Sequence, residues 1–228
     1  MRPSMNSCDK IEITVGSRDS PLSQKQVEEV FSELSHFHPF VTFVPFLMKT
    51  TGDLDLKSSL RHMENSNFFT KEIDEMQLKG QFRISIHSAK DLPDPIADGL
   101  SMVALTRGQD PSDSLVLAEG VNLQNIRKGA SLATSSLRRE KVILSLIPDA
   151  QIVDIRGTIG NRLEKLQKGE VDGLVVAEAA LIRLGLTSLN RIKLEGPVAA
   201  YQGQLAVLAR SDDKEMFELF SCIDSRRQ

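Results

Sequence analysis

A carboxylate beside a lysine follows an apolar strand pattern in the segment HSAKDLPDP, residues 87–95. At the carboxyl end of a strand Asp91 would face a cleft, where an aspartate can transfer protons or stabilise a developing cation. The alternative is a solvated turn, because Asp and Pro are both common in turns. We expect His87, at the strand end, to make a hydrogen bond and not to act as a base.

Two arginines occupy the first turn of a predicted helix in the segment TSSLRR, residues 134–139. The start of a helix carries partial positive charge, so Arg138 and Arg139 at this place favour a bound anion. Hydroxyls, free backbone N–H groups and guanidinium groups together form a cradle for a carboxylate or a phosphate. The alternative is an exposed basic surface that nearby acids balance.

Similar junctions recur along the chain. Arg156 and Gly157 follow the next predicted strand, and Arg162 lies on the helix after it. The segment GSRDS, residues 16–20, places an arginine at another strand-to-helix turn, which an ordinary capped helix would also explain. Residues 201–204, YQGQ, form a polar turn that could belong to any loop.

The sequence contains no phosphate-binding loop, no dinucleotide fingerprint and no metal-ligand spacing of His or Cys. We therefore expect no metal. The arginines predict a small polyanionic ligand with several carboxylates, because the planar guanidinium binds both carboxylate oxygens.

The pattern between these junctions alternates short β-rich runs with amphipathic helices. Strands are predicted over residues 11–16, 41–48, 82–86, 102–106, 114–118, 131–134, 151–155, 173–176 and 204–209. Helices are predicted from Pro21, over 71–79, 136–147 and 177–184, around 159–166, and from Asp213. The alternation predicts an α/β fold with parallel sheets, in which ligands bind beyond the carboxyl ends of the strands.

The composition excludes several classes of protein. Lys and Arg number 28 against 31 Asp and Glu, a net charge of −3 over 228 residues, which argues against a nucleic-acid partner. No apolar stretch approaches the roughly 20 residues that cross a bilayer, so no membrane partner is expected. The N-terminus lacks the apolar core of a signal peptide, and Cys8 and Cys222 cannot form a disulfide framework. We expect a cytoplasmic monomer whose residues 1–10 form a loose leader.

An ordered series of segments between residues 11 and 210 resembles the porphobilinogen deaminase family, also called hydroxymethylbilane synthases. The segments are GSRDSPLSQKQ, TTGD, FFTKEID, IHSAKDLPDP, DP followed by DSLVL, ATSSLRRE, IRGTIGNRLEKL, AALIRLGL and YQGQLAV. The resemblance implies a transferase of tetrapyrrole and heme biosynthesis, which joins four porphobilinogen molecules head to tail with loss of ammonia. It also implies a dipyrromethane cofactor, itself made from porphobilinogen, on which the chain is built.

The resemblance further implies two domains like those of type II periplasmic binding proteins, with the substrate cleft between them. Domain 1 would comprise residues 11–106 and 204–228, and domain 2 residues 107–203. The third, α+β domain of the family is expected to be absent, because the sequence ends at SCIDSRRQ. The family attaches its cofactor to a cysteine of that domain. Cys222 does not match this cysteine, and we expect it to pack against the first domain, with attachment as the weaker alternative.

The resemblance also assigns roles to single residues. Asp91 would be the catalytic carboxylate, which holds pyrrole nitrogens and stabilises the cation formed as ammonia leaves. The residues that would bind the acetate and propionate arms are Arg18, Ser20, Ser88, Lys90, Thr134, Ser135, Ser136, Arg138, Arg139, Arg156, Gly157 and Arg162, with Arg183 and Gln202 as further matches. A hinge between the domains is expected, because the cleft must accommodate a lengthening chain.

Four positions depart from the family pattern. Ser66 stands where the family usually has a lysine, and this change removes a cation near the cleft. Ala133 replaces a glycine and Thr158 an asparagine. Tyr201 replaces a glycine where a tight turn is expected.

Two functions are therefore predicted. The first is a hydroxymethylbilane synthase of short form that retains Asp91 and the arginines. The alternative is a non-catalytic or impaired module that binds pyrroles or polycarboxylates and has lost the cofactor domain. A solute receptor of a transport system would share the fold but needs an export signal, which the sequence lacks.

Overall fold

The computed structural model describes residues 10–55, 58–59, 61 and 66–227. Within these ranges the strands are β1 (Ile11–Arg18), β2 (Val41–Met48), β3 (Ile84–Ser88), β4 (Leu100–Leu105), β5 (Asp113–Leu117), β6 (Ser131–Ala133), β7 (Gln151–Val153), β8 (Gly173–Ala177), β9 (Arg191–Leu194) and β10 (Leu205–Arg210). The α-helices are α1 (Pro21–Ser35), α2 (Thr51–Leu54), α3 (Lys71–Leu78), α4 (Leu137–Leu146), α5 (Ile159–Gln167), α6 (Glu178–Arg183) and α7 (Lys214–Leu219). Short 3-10 turns cover Asn67–Phe69, Ala89–Asp91, Phe220–Ile223 and Ser225–Arg227. Residues 1–9, most of the predicted leader, lie outside the described residues.

The strands form two sheets, which confirms the α/β fold class. The first sheet has the order β2-β1-β3-β10-β4, and the second sheet has the order β7-β6-β8-β5-β9. In the first sheet β1 runs parallel to β2 and β3, and in the second β6 runs parallel to β7 and β8. β2 is an edge strand, which agrees with the edge position that Pro45 predicts.

The prediction of parallel sheets holds only for part of each sheet. β10 runs antiparallel to β3 and β4, and β5 runs antiparallel to β8 and β9. The chain leaves the first sheet after β4, builds the second, and returns through β10. The alternation of strands and helices along the sequence does not indicate where the chain passes from one sheet to the other. The direction of β5 and β10 could therefore not be predicted from that alternation.

Some element boundaries also differ from those predicted. The strand predicted over residues 82–86 covers Ile84–Ser88. Phe82, before the strand, is a core side chain that packs over the backbone of Gly16, and its ring centroid lies 5.6 Å from that of Phe46. The short helix Thr51–Leu54 and the strand Arg191–Leu194 were not predicted. Each has only four residues, too few for a periodic apolar pattern.

Each sheet has its own apolar core. Helix α1 begins as predicted, with Pro21 in its first turn and Ser20 as N-cap, whose hydroxyl accepts from the Ser23 N–H at 3.2 Å. Val27, Val30 and Leu34 of this helix are buried against the first sheet. Helices α4 and α5 cover the second sheet in the same way.

The two segments that connect the sheets contact each other. The Gln109 N–H donates to the Gly203 carbonyl at 3.0 Å, and the Gln204 side chain donates to the Thr106 carbonyl at 2.8 Å. Gly203 has φ +89° and a Cβ there would lie 2.4 Å from the Gln109 carbonyl oxygen, so this close approach requires glycine. The division into domains at these segments stays a prediction.

None of the helices in the described ranges has both the length and the apolar character needed to cross a bilayer.

Candidate active site

The arginine pair at the start of α4 binds an acid of the same chain. Arg138 Nη1 donates to Asp113 Oδ2 at 2.6 Å, and Arg139 donates to Asp113 Oδ1 through Nη2 at 2.7 Å and Nε at 2.9 Å. Burial alone would raise the pKa of the Asp113 carboxyl, but the charges and hydrogen bonds of Arg139 and Arg138 lower it below its ordinary value. Asp113 is therefore a buried anion that neutralises part of the pair.

The hydroxyls before α4 hold the end of the strand in place. Thr134 is buried, and its Oγ1 accepts from the Ser136 N–H at 3.2 Å. Ser135 Oγ donates to the Ile155 carbonyl at 2.5 Å and accepts from the Ile155 N–H at 3.2 Å, which joins the ends of β6 and β7. Ser136 is the N-cap residue, and its hydroxyl makes no hydrogen bond within the described part of the chain. Of these three hydroxyls, the Ser136 group is the one available to a ligand.

Arg156 reaches from the second sheet to the first. Its Nη2 donates to the Gly52 carbonyl at 2.9 Å and to the Asp55 carbonyl at 2.6 Å. Its Nε is buried and has no hydrogen-bond partner among the described residues. Burial lowers the pKa of this guanidinium, and the Phe68 and Phe69 rings lie 5.7 and 5.8 Å from it. A free buried N–H donor is suited to a carboxylate.

Arg162 adds a further cation to this group. Its Nε donates to the Gly157 carbonyl at 2.8 Å, and Gly157 adopts φ +103°, which is open to glycine. Burial lowers the pKa of Arg162 to about 10, and the positive charges of Arg139 and Arg156 add to this shift. Arg139, Arg156 and Arg162, predicted from separate junctions, are therefore close enough for their charges to repel one another. An anionic ligand would relieve this repulsion.

The first sheet contributes Arg18 at the end of β1. Its Nε donates to Asp53 Oδ1 at 3.1 Å, and its guanidinium lies 4.3 Å from the centre of the Phe69 ring. Burial raises the pKa of the Asp53 carboxyl, but hydrogen bonds from Arg18 and Thr50 outweigh it and lower the pKa. The aromatic ring and the carboxylate fix the guanidinium plane.

Two predicted serines of the first sheet are used within the protein. Ser20 caps α1, and Ser88 Oγ accepts from Gln26 Nε2 at 2.8 Å. Ser17 was not predicted, but its Oγ is buried and has no partner among the described residues. Nothing in the sequence pattern distinguishes Ser17 from its neighbours.

The turn after β3 presents the predicted catalytic carboxylate. Asp91 is exposed, and no group of the described part of the chain forms a hydrogen bond or an ion pair with its carboxylate. Lys90 is half-buried and donates from Nζ to Gln202 Oε1 at 3.2 Å. Burial lowers the pKa of Lys90 to about 8, with Arg139 in the same direction and Asp91 and Asp113 opposing. An unpaired carboxylate thus lies next to an amine that titrates near neutrality.

His87 is buried behind this turn. Its Nε2 lies 3.0 Å from Ser85 Oγ, in the hydrogen bond expected at the strand end. Burial, aided by the charge of Arg18, lowers the pKa of His87 to about 4, so the ring is neutral at pH 7. A neutral buried imidazole agrees with the structural role expected from the sequence.

Two further predicted residues lie in networks within the protein. Arg183 donates to both oxygens of Glu29 at 2.8 Å and to the Gly203 carbonyl at 2.7 Å. Gln202 is 3% exposed and donates from Nε2 to the Pro111 carbonyl at 2.6 Å and to Asp113 Oδ1 at 2.9 Å. Both residues lie where the two sheets meet, and their roles toward a ligand stay predictions.

Cys222 packs in the first core. Its Sγ donates weakly to the Leu219 carbonyl at 3.4 Å, and burial raises the pKa of the thiol. A thiol with a raised pKa is less nucleophilic at neutral pH. No group of His, Cys, Asp and Glu in the described ranges is arranged to hold a metal ion.

Two acids of the site were not predicted. Asp53 and Asp113 both lie in segments of the family resemblance, TTGD and DSLVL, but neither was assigned a role. Asp53 could have been found from its spacing to Thr50, because a capping box brings these two residues together. The Asp113–Arg138 contact spans 25 residues and leaves no local signal.

The departures from the family pattern occupy defined places. Thr158 caps α5 by accepting from the Asn161 N–H at 3.3 Å, a role that asparagine also fills. Ala133 is a buried residue at the end of β6, and Ser66 precedes the turn Asn67–Phe69. Tyr201 is exposed with φ +57°, a left-handed conformation that glycine adopts more easily than tyrosine.

The fold and the candidate site together define a class of protein. Lys90, next to the exposed Asp91, lies within range of the charges of Arg138 and Arg139 from the second sheet, and Arg162 within range of Arg18 from the first. Buried carboxylates balance only part of this charge. The class is a two-sheet α/β protein whose centre suits a small polycarboxylate.

Comparison with known proteins identifies the family. A sequence model described as "Porphobilinogen deaminase, dipyromethane cofactor binding domain" matches residues 13–218. The porphobilinogen deaminase of Desulforudis audaxviator is 38% identical over 218 residues, which cover 93% of this chain and 70% of that protein. The probable porphobilinogen deaminase of Chlamydia pneumoniae is 40% identical over 214 residues, which cover 94% of this chain and 91% of that protein. The chain belongs to the porphobilinogen deaminase family, and its role is in tetrapyrrole synthesis.

A solved structure supports the fold class. An amino acid ABC transporter substrate-binding protein from Streptococcus pneumoniae, bound to L-arginine, has a TM-score of 0.52 with 12% sequence identity. The match covers 93% of this chain and 86% of that one. At this identity the likeness shows the fold alone, and it confirms the predicted resemblance to periplasmic binding proteins.

The residues of the site fit the cofactor that the family implies. A dipyrromethane is expected from the matched family domain. Its acetate and propionate groups are carboxylates, and the unpartnered Nε of Arg156 and the hydroxyl of Ser136 are free donors of the kind they need. The Asp91 carboxylate can accept from pyrrole N–H groups.

Proposed function

We propose that this chain is a hydroxymethylbilane synthase, which condenses four porphobilinogen units head to tail with loss of ammonia. The observation that carries the proposal is the Asp91 carboxylate, exposed and without an ion pair in the described residues, next to Lys90, on which the charges of Arg138 and Arg139 also act. A carboxylate that is not neutralised by its own protein can accept N–H groups and stabilise a cation of the substrate.

Binding of porphobilinogen is assigned to the arginines. The acetate and propionate groups would take the free N–H groups of Arg138, Arg139 and Arg156, which bind carboxylates through two parallel hydrogen bonds. Burial lowers the pKa of Arg162, and the charges of Arg139, Arg156 and Arg18 add to this shift; the negative charge of a ligand would offset that repulsion. Lys90 adds a cation next to Asp91.

Chemistry is assigned to Asp91. When the C–N bond of the protonated aminomethyl group of porphobilinogen breaks, the electron pair leaves with the nitrogen as ammonia, and a cation spreads over the pyrrole ring. The Asp91 carboxylate accepts a hydrogen bond from the pyrrole N–H and stabilises that cation. The cation then forms a C–C bond with the free α-carbon of a pyrrole, which afterwards loses its proton. A dipyrromethane held by the arginines would supply the first such α-carbon, and Cys222, packed in the core with a raised pKa, is given no part in its attachment.

The test is the Asp91→Ala variant with Asp94→Ala as control. Asp94 is an exposed aspartate of the same segment, so Asp94→Ala removes the same charge and side chain as Asp91→Ala from a neighbouring position. We expect Asp91→Ala to lower bilane formation at least about 100-fold, the size of a lost electrostatic contact to a transition state. Calorimetry should show porphobilinogen still bound, because the arginines remain.

Undiminished bilane synthesis in Asp91→Ala would overturn the assignment. A wild-type protein that binds porphobilinogen but releases no ammonia would instead be the non-catalytic binding module. Loss of activity in both variants would point to the fold of the segment and not to the Asp91 carboxylate.

A further inference from the structure

The side-chain amide of Gln202 is fully used within the protein. Its two N–H groups donate to the Pro111 carbonyl at 2.6 Å and to Asp113 Oδ1 at 2.9 Å. Its Oε1 accepts from Lys90 Nζ at 3.2 Å. Both N–H donors of the Gln202 amide are therefore engaged, and Gln202 is only 3% exposed. In this arrangement Gln202 has no N–H left for a substrate.

Asp113 is the common acceptor of this network. Its side chain is 5% exposed, and one carboxylate receives Arg138, Arg139 and Gln202. A buried carboxylate with three donors is held in one orientation, and its donors are held with it.

The network leaves defined groups of the arginines available. Arg138 uses Nη1 for Asp113 and for the Pro197 carbonyl, both at 2.6 Å, and Arg139 uses Nε and Nη2. Nε and Nη2 of Arg138 and Nη1 of Arg139 make no hydrogen bond within the described residues. Asp113 therefore binds one edge of each guanidinium group, and the opposite edge keeps N–H groups that a ligand can bind.

The same network connects the two sheets. Lys90 follows β3 of the first sheet, whereas Asp113 and the arginines belong to the second. Gln202 lies on the segment that returns to the first sheet. The amide is the single hydrogen-bonded link, in the described residues, from Lys90 to Asp113.

We propose that Asp113 and Gln202 are positioning residues, which hold Lys90 beside Asp91 and orient Arg138 and Arg139 toward a porphobilinogen carboxylate without contacting it themselves. This proposal rests on the proposed function. It assigns Gln202 a role through Lys90 and Asp113, and it adds Asp113 to the residues that the reaction requires. Misplacement of a binding group by about 1 Å can cost as much as 100-fold in rate, so such a support has a measurable effect.

The test compares Asp113→Asn and Gln202→Met with their double variant and with Asp172→Asn as control. Asp172 pairs with Arg127 at 2.9 and 2.6 Å in the same half of the chain, so the control removes a similar ion pair outside the network. We measure the porphobilinogen Kd by calorimetry, KM and kcat for bilane formation, and the melting temperature.

We expect each network variant to raise Kd and KM about tenfold, since a charge-assisted hydrogen bond is of this size. The double variant should bind porphobilinogen no more weakly than the weaker-binding single variant, because both substitutions break the same Asp113–Gln202–Lys90 link. Asp172→Asn, which breaks a more exposed ion pair outside the network, should keep Kd and KM within about twofold.

Unchanged Kd in folded Asp113→Asn and Gln202→Met, with wild type binding normally, would overturn the inference. Effects that multiply in the double variant would also overturn it. If Asp113→Asn does not fold, Gln202→Asn, which keeps an amide but shortens it, should show the same loss. A wild-type protein that does not bind porphobilinogen would contradict the proposed function itself, and so the two failures are distinguishable.

Discussion

Arg183 on α6 and Glu29 on α1 form a bidentate ion pair, with both N···O distances at 2.8 Å. The arginine side chain is 5% exposed, and it also donates to the Gly203 carbonyl on the returning segment. One helix packs on each sheet, so this pair is a direct connection between the two halves of the protein. Nε and Nη2 of Arg183 are both engaged in these hydrogen bonds, and we expect Arg183 to contribute to the stability of the fold.

Replacement of Arg183 tests this connection. Arg183→Met leaves Glu29 without a partner and removes one of the two donors to the Gly203 carbonyl, and we expect the free energy of unfolding to fall by about 2 kcal/mol. Urea denaturation measures the change. Lys25→Met, which removes the exposed Lys25–Glu28 pair on the same helix, should change it by less than about 0.5 kcal/mol. Equal effects of the two variants would contradict the prediction.

Porphobilinogen affinity should fall as pH rises through about 8. Lys90 loses its proton there, and with it a positive charge that attracts the ligand carboxylates. The charged groups that face Lys90 are Arg138, Arg139, Asp91 and Asp113. Calorimetry between about pH 7 and about pH 9.5 should show up to about tenfold weaker binding.

Lys90→Met separates this effect from other titrations. The variant should bind weakly at all pH values in that range and lose the pH dependence. Lys79→Met, which changes an exposed lysine at the end of α3, should retain it. An unchanged pH profile in Lys90→Met would show that another group titrates.

Acid should destabilise the fold through His87. Its pKa is about 4 in the folded protein, below the ordinary 6.5, so the unfolded chain binds the proton more strongly. Stability from this group is complete above the unfolded pKa and is lost as pH falls toward the folded pKa. Between about pH 7.5 and about pH 5.5 the loss should be about 1.4 kcal/mol.

The His87→Gln variant isolates that contribution. Asp74 has its pKa raised by burial to about 6, and its titration changes stability in the opposite direction over an overlapping range. The difference between wild type and His87→Gln removes the Asp74 contribution, because both proteins contain it. A difference that does not vary with pH would contradict the assignment.

Glycine at position 201 should stabilise the protein relative to alanine. Tyr201 has φ +57°, and a residue with a Cβ is strained there by about 1 kcal/mol. The side chain is 56% exposed, so its removal costs little packing. Thermal or urea unfolding should place Tyr201→Gly above Tyr201→Ala by about 1 kcal/mol. Equal stability of the two variants would show that the turn relaxes in solution.

The sequence predicted those features that depend on neighbours along the chain. Ser20 caps α1, and the helices after Ser136 and Thr158 begin where hydroxyls and arginines indicated. These follow from local hydrogen bonds, and the fold class follows from the alternation of apolar patterns. The positions of Arg18, Lys90 and Thr134 at or just beyond strand ends were therefore accessible before the structure.

Features that depend on distant parts of the chain were not predicted. The acids that neutralise the arginines come from other elements, as in the Arg18–Asp53 pair, whose members are 35 residues apart. The antiparallel directions of β5 and β10 follow from the crossing between the sheets. Neither has a local pattern, because charge pairing and strand pairing are decided only when the elements meet.

The place of β10 has a consequence for the order in which the protein is made. β10 is the last strand of the described residues, yet it lies inside the first sheet, between β3 and β4. All strands of the second sheet lie between Asp113 and Leu194, upstream of it. While the ribosome is still synthesising residue 205, β3 and β4 have no neighbour on their inner edges, whereas the second sheet has all its strands. The half of the molecule that is encoded in the middle of the gene is therefore the first able to fold, and the half that begins the chain is completed last.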